Sequence, residues 1–116
     1  GWWPIIWNLC TQIDSHIKWK NKTREALLKD NPYDHPIPEE VEPVVVMQIK
    51  EKFGGLRFYY EGGDDFVRGL DTMAEVWASM SCEECGKPGK RRSGGWIRTL
   101  CDEHEAERQE RLKEHN

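Results

Sequence analysis

Four side chains in the last third of the chain have the types and spacing that hold a metal ion. Two residues separate Cys82 from Cys85, and two separate Cys101 from His104. Zinc takes four sulfur and nitrogen ligands in a tetrahedron, and a Cys-x2-Cys turn sets two sulfurs about 3.5 to 4 Å apart, as Zn–S bonds of about 2.3 Å require. Gly86, directly after the second cysteine, lets the backbone leave that turn without a Cβ clash. Fifteen residues lie between Cys85 and Cys101. They suffice for a short hairpin through Lys90 to Leu100, with Gly94-Gly95 as its turn and Trp96 and Ile97 in its return strand. From Asp102 the chain reads as helix, with acids in its first turn and Glu107 to Arg111 at i, i+4 spacing. The second ligand pair therefore falls at a helix N-terminus.

Knuckle, hairpin and ligand-bearing helix together resemble a treble-clef zinc finger of the Cys3His type, holding one structural Zn2+. The alternative is that the cysteines pack as small apolar groups or pair as a disulfide. The metal-ligand spacing favours reduced thiolates, hence an intracellular setting. A catalytic zinc usually keeps three protein ligands and an open position. Here all four positions are filled, and Glu83, Glu84 and Glu103 are the ordinary acids of a knuckle and a first helical turn. An enzyme is not expected.

The metal-held segment also concentrates charge. Lys87, Lys90, Arg91, Arg92 and Arg98 face only Glu83 and Glu84 between Cys82 and Cys101, whereas Asp102 to Asn116 carries six acids against three bases. A rigid hairpin would fix those cationic tips for phosphate contact, or they simply keep it soluble. Lys50, Lys52, Arg57 and Tyr59 fall on one face of a second hairpin, either a base-stacking surface or a plain wet face. His16, His35 and His115 have no partners at ligand spacing and read as solvated or satisfied. Cys10 falls on an apolar helical stripe and reads as a buried, inert thiol. No nucleophile triad, phosphate-cradling glycine loop or well-spaced carboxylate pair stands out.

The elements that carry these groups can be read from periodicity. A length of 116 residues fits a single domain, with residues 1–80 an α/β-hairpin/α portion and 81–116 the metal-binding portion. From Trp2 to about Lys22, Trp2, Ile5, Ile6, Leu9, Cys10, Ile13 and Ile17 fall on one helical arc, with Pro4 tolerated in the first turn. Trp19 lies off the arc and Trp7 at its margin. Asp30 to Pro43 contains four prolines and reads as an extended connector. Val44–Phe53 and Leu56–Glu61 read as a β-hairpin turning at Gly54-Gly55, with Phe53, Leu56, Ile49 and Tyr60 on one face. A second helix is expected over Asp64–Met80, capped by Asp64 or Asp65, with a core stripe of Phe66, Leu70, Met73, Trp77 and Met80. The class is α+β: helix, β-hairpin, helix, then the finger with its trailing helix. No apolar run reaches membrane-span length, and no signal peptide is visible, although the chain opens at Gly1.

The segments Gln48-Ile-Lys-Glu-Lys-Phe-Gly-Gly-Leu-Arg-Phe-Tyr-Tyr60, Cys82-Glu-Glu-Cys85-Gly86 and Gly95-Trp-Ile-Arg-Thr-Leu-Cys-Asp-Glu-His104 resemble a group of small, largely uncharacterised bacteriophage and prophage proteins. The likeness covers most of Gly1 to His104 and implies a bacterial host cytoplasm and one zinc site. It brings no established activity. With a formal charge of −4 the whole chain is no polycation. Six tryptophans and an absence of catalytic groups point to a binding module. The partner is expected to be a host or phage protein, contacted through Trp19, Tyr59 and the charged C-terminal helix. The alternative is a nucleic-acid-binding finger using the basic hairpin. The oligomeric state is left open.

Overall fold

The first helix, α1 (Trp3–Lys29), ends seven residues beyond the Lys22 that its apolar stripe suggests. Trp2 adopts helical backbone angles as its N-cap without a side-chain cap, and the Ile6 N–H bonds the Trp2 carbonyl at 3.1 Å. Trp2, Ile5, Leu9 and Ile13 are buried and Ile6 and Ile17 partly so. Beyond Ile17 the stripe ends, but the helix continues because Lys, Arg, Glu, Ala and Leu all favour it, and because the connector is laid back along it. Asn21 brackets Val41, accepting from its N–H at 3.0 Å and donating to its carbonyl at 3.4 Å, and Arg24 donates to the Pro38 carbonyl at 2.9 Å. Val41 is buried there. The connector is otherwise irregular, as its prolines dictate.

Strands β1 (Val45–Lys52) and β2 (Gly55–Glu61) form an antiparallel hairpin. Its two-residue turn is Phe53-Gly54, because Lys52 pairs with Gly55; the expected Gly54-Gly55 turn is displaced by one residue. Both turn residues have positive φ, 54° and 76°, the requirement of the tight turn that matches strand twist. Sliding a two-residue turn by one position changes the pairing by two, so the alternation survives. Leu56, Phe58 and Tyr60 share a face with Ile49, while Lys50, Arg57, Lys52 and Tyr59 share the other. Phe53 belongs to neither face; it is an exposed turn residue. A bulge between Val46 and Gln48 keeps Val46 opposite Tyr60.

Helix α2 (Asp65–Ser79) starts where expected, with the Asp64 carboxylate accepting from the Val67 N–H at 3.1 Å. Its buried stripe is not the expected one. Val67, Ala74 and Ala78 face the core, Leu70 is partly buried, and Phe66, Met73, Trp77 and Met80 are exposed. The stripe is rotated by one residue, about 100°. The small side chains Ala74 and Ala78 let α2 pack closely between α1 and β2, where Ile5, Leu9, Leu56 and Phe58 supply the bulk of the core.

The remaining elements are two three-residue strands, β3 (Lys90–Arg92) and β4 (Arg98–Leu100), and α3 (Asp102–Glu114). This computed structural model describes residues 1–114; His115 lies outside them. Three helices and two antiparallel two-stranded sheets make an α+β fold among the described residues. None of the helices is long and apolar enough to cross a membrane. The molecule is thin, 72 × 23 × 15 Å, so many apolar side chains have neighbours on one side only. Cys10 is one: it is exposed, not buried, at the rim of a cleft of about 290 Å³ left between α1 and β1.

Candidate metal centre

The knuckle begins as α2 ends. The Ser81 N–H bonds the Ala78 carbonyl at 3.1 Å, and the Trp2 indole N–H bonds the Ser81 carbonyl at 2.9 Å in a buried contact. The Cys82 N–H then bonds the Lys87 carbonyl and the Gly86 N–H the Cys82 carbonyl, both at 2.8 Å. Gly86 has φ of 79°, so the freedom expected of it is used. The Glu83 N–H bonds the Thr99 carbonyl at 3.0 Å, which aligns the knuckle with β4. β4 delivers Cys101, and the first turn of α3 delivers His104, its N–H 3.4 Å from the Cys101 sulfur.

These elements bring Cys82, Cys85, Cys101 and His104 together with their ligand atoms all within 4.8 Å of one another. The Cys85 and Cys101 sulfurs are 3.8 Å apart. His104 Nδ1 is 3.6 Å from the Cys82 sulfur and 3.2 Å from that of Cys101. A tetrahedron with metal–sulfur bonds of about 2.3 Å and metal–nitrogen bonds of about 2.0 Å has edges of about 3.8 Å and 3.5 Å. The donor set fits a metal ion. With Nδ1 turned inward, Nε2 points outward, with the exposed Glu107 carboxylate 3.9 Å away. Burial pushes the Cys82 thiol up, but backbone N–H groups of Cys101, Cys85 and Glu84 outweigh it and hold it at about 6. Cys82 and Cys101 are buried with Leu100, and Cys85 forms the exposed rim.

The basic residues of the finger separate into two groups. Arg98 forks onto Glu83 and Glu84, and Arg92 donates to the Leu100 carbonyl at 3.1 Å and pairs with Asp102 at 2.7 Å. Both guanidiniums thus brace the knuckle and the start of α3. Hydrogen bonds from Arg98 hold the Glu84 carboxyl below its ordinary range. Lys87, Lys90 and Arg91 are exposed and make no ion pair among the described residues. On the other hairpin, Lys50 lies over the Tyr59 ring at 5.5 Å, and Arg57 reaches to 3.9 Å from Glu75 on α2. Trp19 and Tyr59 are exposed. His16 is satisfied by Asp64 at 2.9 Å and stacks on Phe66 with ring centroids 4.2 Å apart.

Three features were not legible from spacing. Trp96 and Ile97 lie in the loop between β3 and β4, not in the return strand. Arg108, buried in α3, holds that loop by donating to the Gly94 and Trp96 carbonyls at 2.7 and 2.6 Å. The Thr99 hydroxyl donates to the Gly54 carbonyl at 2.6 Å, fastening the finger to the hairpin turn. An arginine inside a charged helix and a threonine in a strand carry no sequence signal for such roles. Comparison with protein-family models, with curated proteins and with solved structures gives no match.

Proposed function

We propose that this chain is a zinc-stabilised binding module: one structural Zn2+ on Cys82, Cys85, Cys101 and His104 closes a treble-clef-like finger, and the module acts by binding another protein. Three thiolates and an imidazole are the donors zinc favours, and a site of reduced cysteines suits a reducing compartment such as the bacterial cytoplasm. The observation that carries the binding role is the tryptophan count. Of six tryptophans only Trp2 is buried; Trp3, Trp7, Trp19, Trp77 and Trp96 are all exposed. Exposed indoles are what protein interfaces use as anchors. Phe66, Met73 and Met80 add apolar surface beside them on α2. The resemblance to phage and prophage proteins supports a host or phage protein as the partner, which the module would inhibit or modulate.

The alternative, a finger gripping nucleic acid with Lys87, Lys90, Arg91, Arg92 and Arg98, is weaker because Arg92 and Arg98 are already paired with acids of the finger itself. The test combines light scattering with affinity capture from bacterial lysate, comparing zinc-loaded wild type with a Trp3→Ser, Trp7→Ser, Trp77→Ser variant. The reading predicts a specific partner or a self-associated species that the variant loses. A monomer that captures nothing, or a variant that captures the same proteins, overturns it.

A further inference from the structure

The hairpin turn and the finger loop enclose a cleft of about 410 Å³, lined by Lys50, Glu51, Lys52, Phe53, Trp96 and Ile97. Its walls are fixed. Thr99 fastens the turn at Gly54, and Arg108 holds the loop at Gly94 and Trp96. Phe53 takes φ of 54° in the turn, a conformation asparagine or glycine adopts far more readily. The strain is not offset by burial, because the ring is exposed. Trp96 is 74% exposed, the most of the six tryptophans, and its indole N–H reaches Glu51 Oε1 at 3.3 Å. The other carboxylate oxygen, Oε2, is enclosed and has no hydrogen-bond partner among the described residues. Lys52 lies over the Phe53 ring at 5.7 Å. Neither Lys50 nor Lys52 pairs with a carboxylate among the described residues.

Two exposed aromatic rings, two ammoniums without a carboxylate partner and a carboxylate short of a donor define complementary chemistry. The ligand must offer a flat π face, negative charge near it, and N–H donors on its edge. We propose that this cleft binds single-stranded nucleic acid, seating one guanine base against Trp96 and Phe53, its flanking phosphates on Lys50 and Lys52. Aromatic platforms of this kind stack unpaired bases. Guanine alone among the bases presents two adjacent N–H donors on its pairing edge, which match the two oxygens of Glu51 once the carboxylate turns about its soft last torsion. A duplex hides both the base face and that edge, so the ligand is a single strand. The inference shares only Trp96 with the protein-binding role, whose other exposed indoles, Trp3, Trp7, Trp19 and Trp77, lie on α1 and α2.

The test uses zinc-loaded full-length protein and labelled pentanucleotides d(TTGTT), d(TTATT), d(TTCTT) and d(TTTTT), read by fluorescence anisotropy. d(TTGTT) binds tightest. Trp96→Ala and Phe53→Gly each weaken it by about fivefold or more. Phe53→Gly suits the turn's backbone, so the fold, checked by circular dichroism and melting, is retained. Two phosphate contacts give a log–log salt slope of about −1.4, which Lys50→Gln with Lys52→Gln brings towards zero. Glu51→Gln removes the guanine preference while leaving d(TTTTT) binding in place. Free guanosine monophosphate competes only at higher concentration than the strand; equal potency would overturn the strand assignment. Failure of every pentanucleotide to bind at low salt, or binding unchanged in both Phe53→Gly and Trp96→Ala, overturns the proposal. So does a cleft that takes a peptide and no nucleotide.

Discussion

The Thr99 hydroxyl donates a buried 2.6 Å hydrogen bond to the carbonyl of Gly54, a residue 45 positions earlier in the chain. The strand that delivers Cys101 is thereby tied to the tip of a hairpin in the other half of the protein. Thr99→Val leaves the Gly54 carbonyl without its partner and is expected to cost about 1–3 kcal/mol in chemical denaturation. Gly54→Ala should cost more. A Cβ there would sit 3.1 Å from the Arg98 carbonyl carbon, at a φ of 76° that side chains rarely adopt.

Asp64 should make stability fall in acid. Burial pushes its carboxyl up, but hydrogen bonds from His16, the Val67 N–H and Lys20 outweigh it and hold it at about 2, against an ordinary 3.8. A depressed carboxyl contributes stability that is full above 3.8 and disappears as pH falls through about 2. Asp64→Ala, which also removes the α2 cap, is expected to cost about 0.5–2 kcal/mol at pH 7. In denaturation series, the gap between variant and wild type should narrow as pH drops towards 2.

Asp71 works in the opposite direction. Burial, then the neighbouring Glu75, raises its carboxyl to about 7, and its Oδ1 is enclosed without a partner among the described residues. Between 3.8 and about 7 the unfolded chain ionises this group while the folded chain keeps it protonated, so stability is lost as pH rises through that window. Asp71→Asn should therefore melt higher than wild type at pH 8 and nearly level with it at pH 4. A variant that melts lower at pH 8 would contradict this.

What the sequence disclosed depended on whether the cause was local. The cluster of four candidate ligands was readable because a tetrahedron imposes short spacings along the chain. The α2 stripe was not: Trp77 and Met73 look like core residues, and only the packing of α2 between α1 and β2 shows that Ala74 and Ala78 occupy the contact. The hairpin faces were readable despite a misplaced turn, since the alternation does not depend on that shift. The pairing of Arg98 with Glu83 and Glu84 was hidden, because strand β4 brings together residues 14 and 15 positions apart.

Cys10 gives a chemical readout of metal occupancy. It is an exposed free thiol, pushed up by partial burial, so it should alkylate slowly near neutral pH. Zinc-loaded protein treated with N-ethylmaleimide is expected to show one adduct per chain by mass spectrometry. After chelation all four cysteines of the chain should react. Several adducts on loaded protein would mean that the other thiols are not coordinated.

The most direct test is the metal itself. Native mass spectrometry of protein purified under reducing conditions, followed by hydrogen exchange with and without chelator, should find one zinc per wild-type chain and none on Cys101→Ser. Chelation should release protection first across Cys82 to Glu114 while α1 and the β1–β2 hairpin remain protected. A wild-type chain that carries no metal, or whose finger keeps its protection when the metal is removed, would contradict the account.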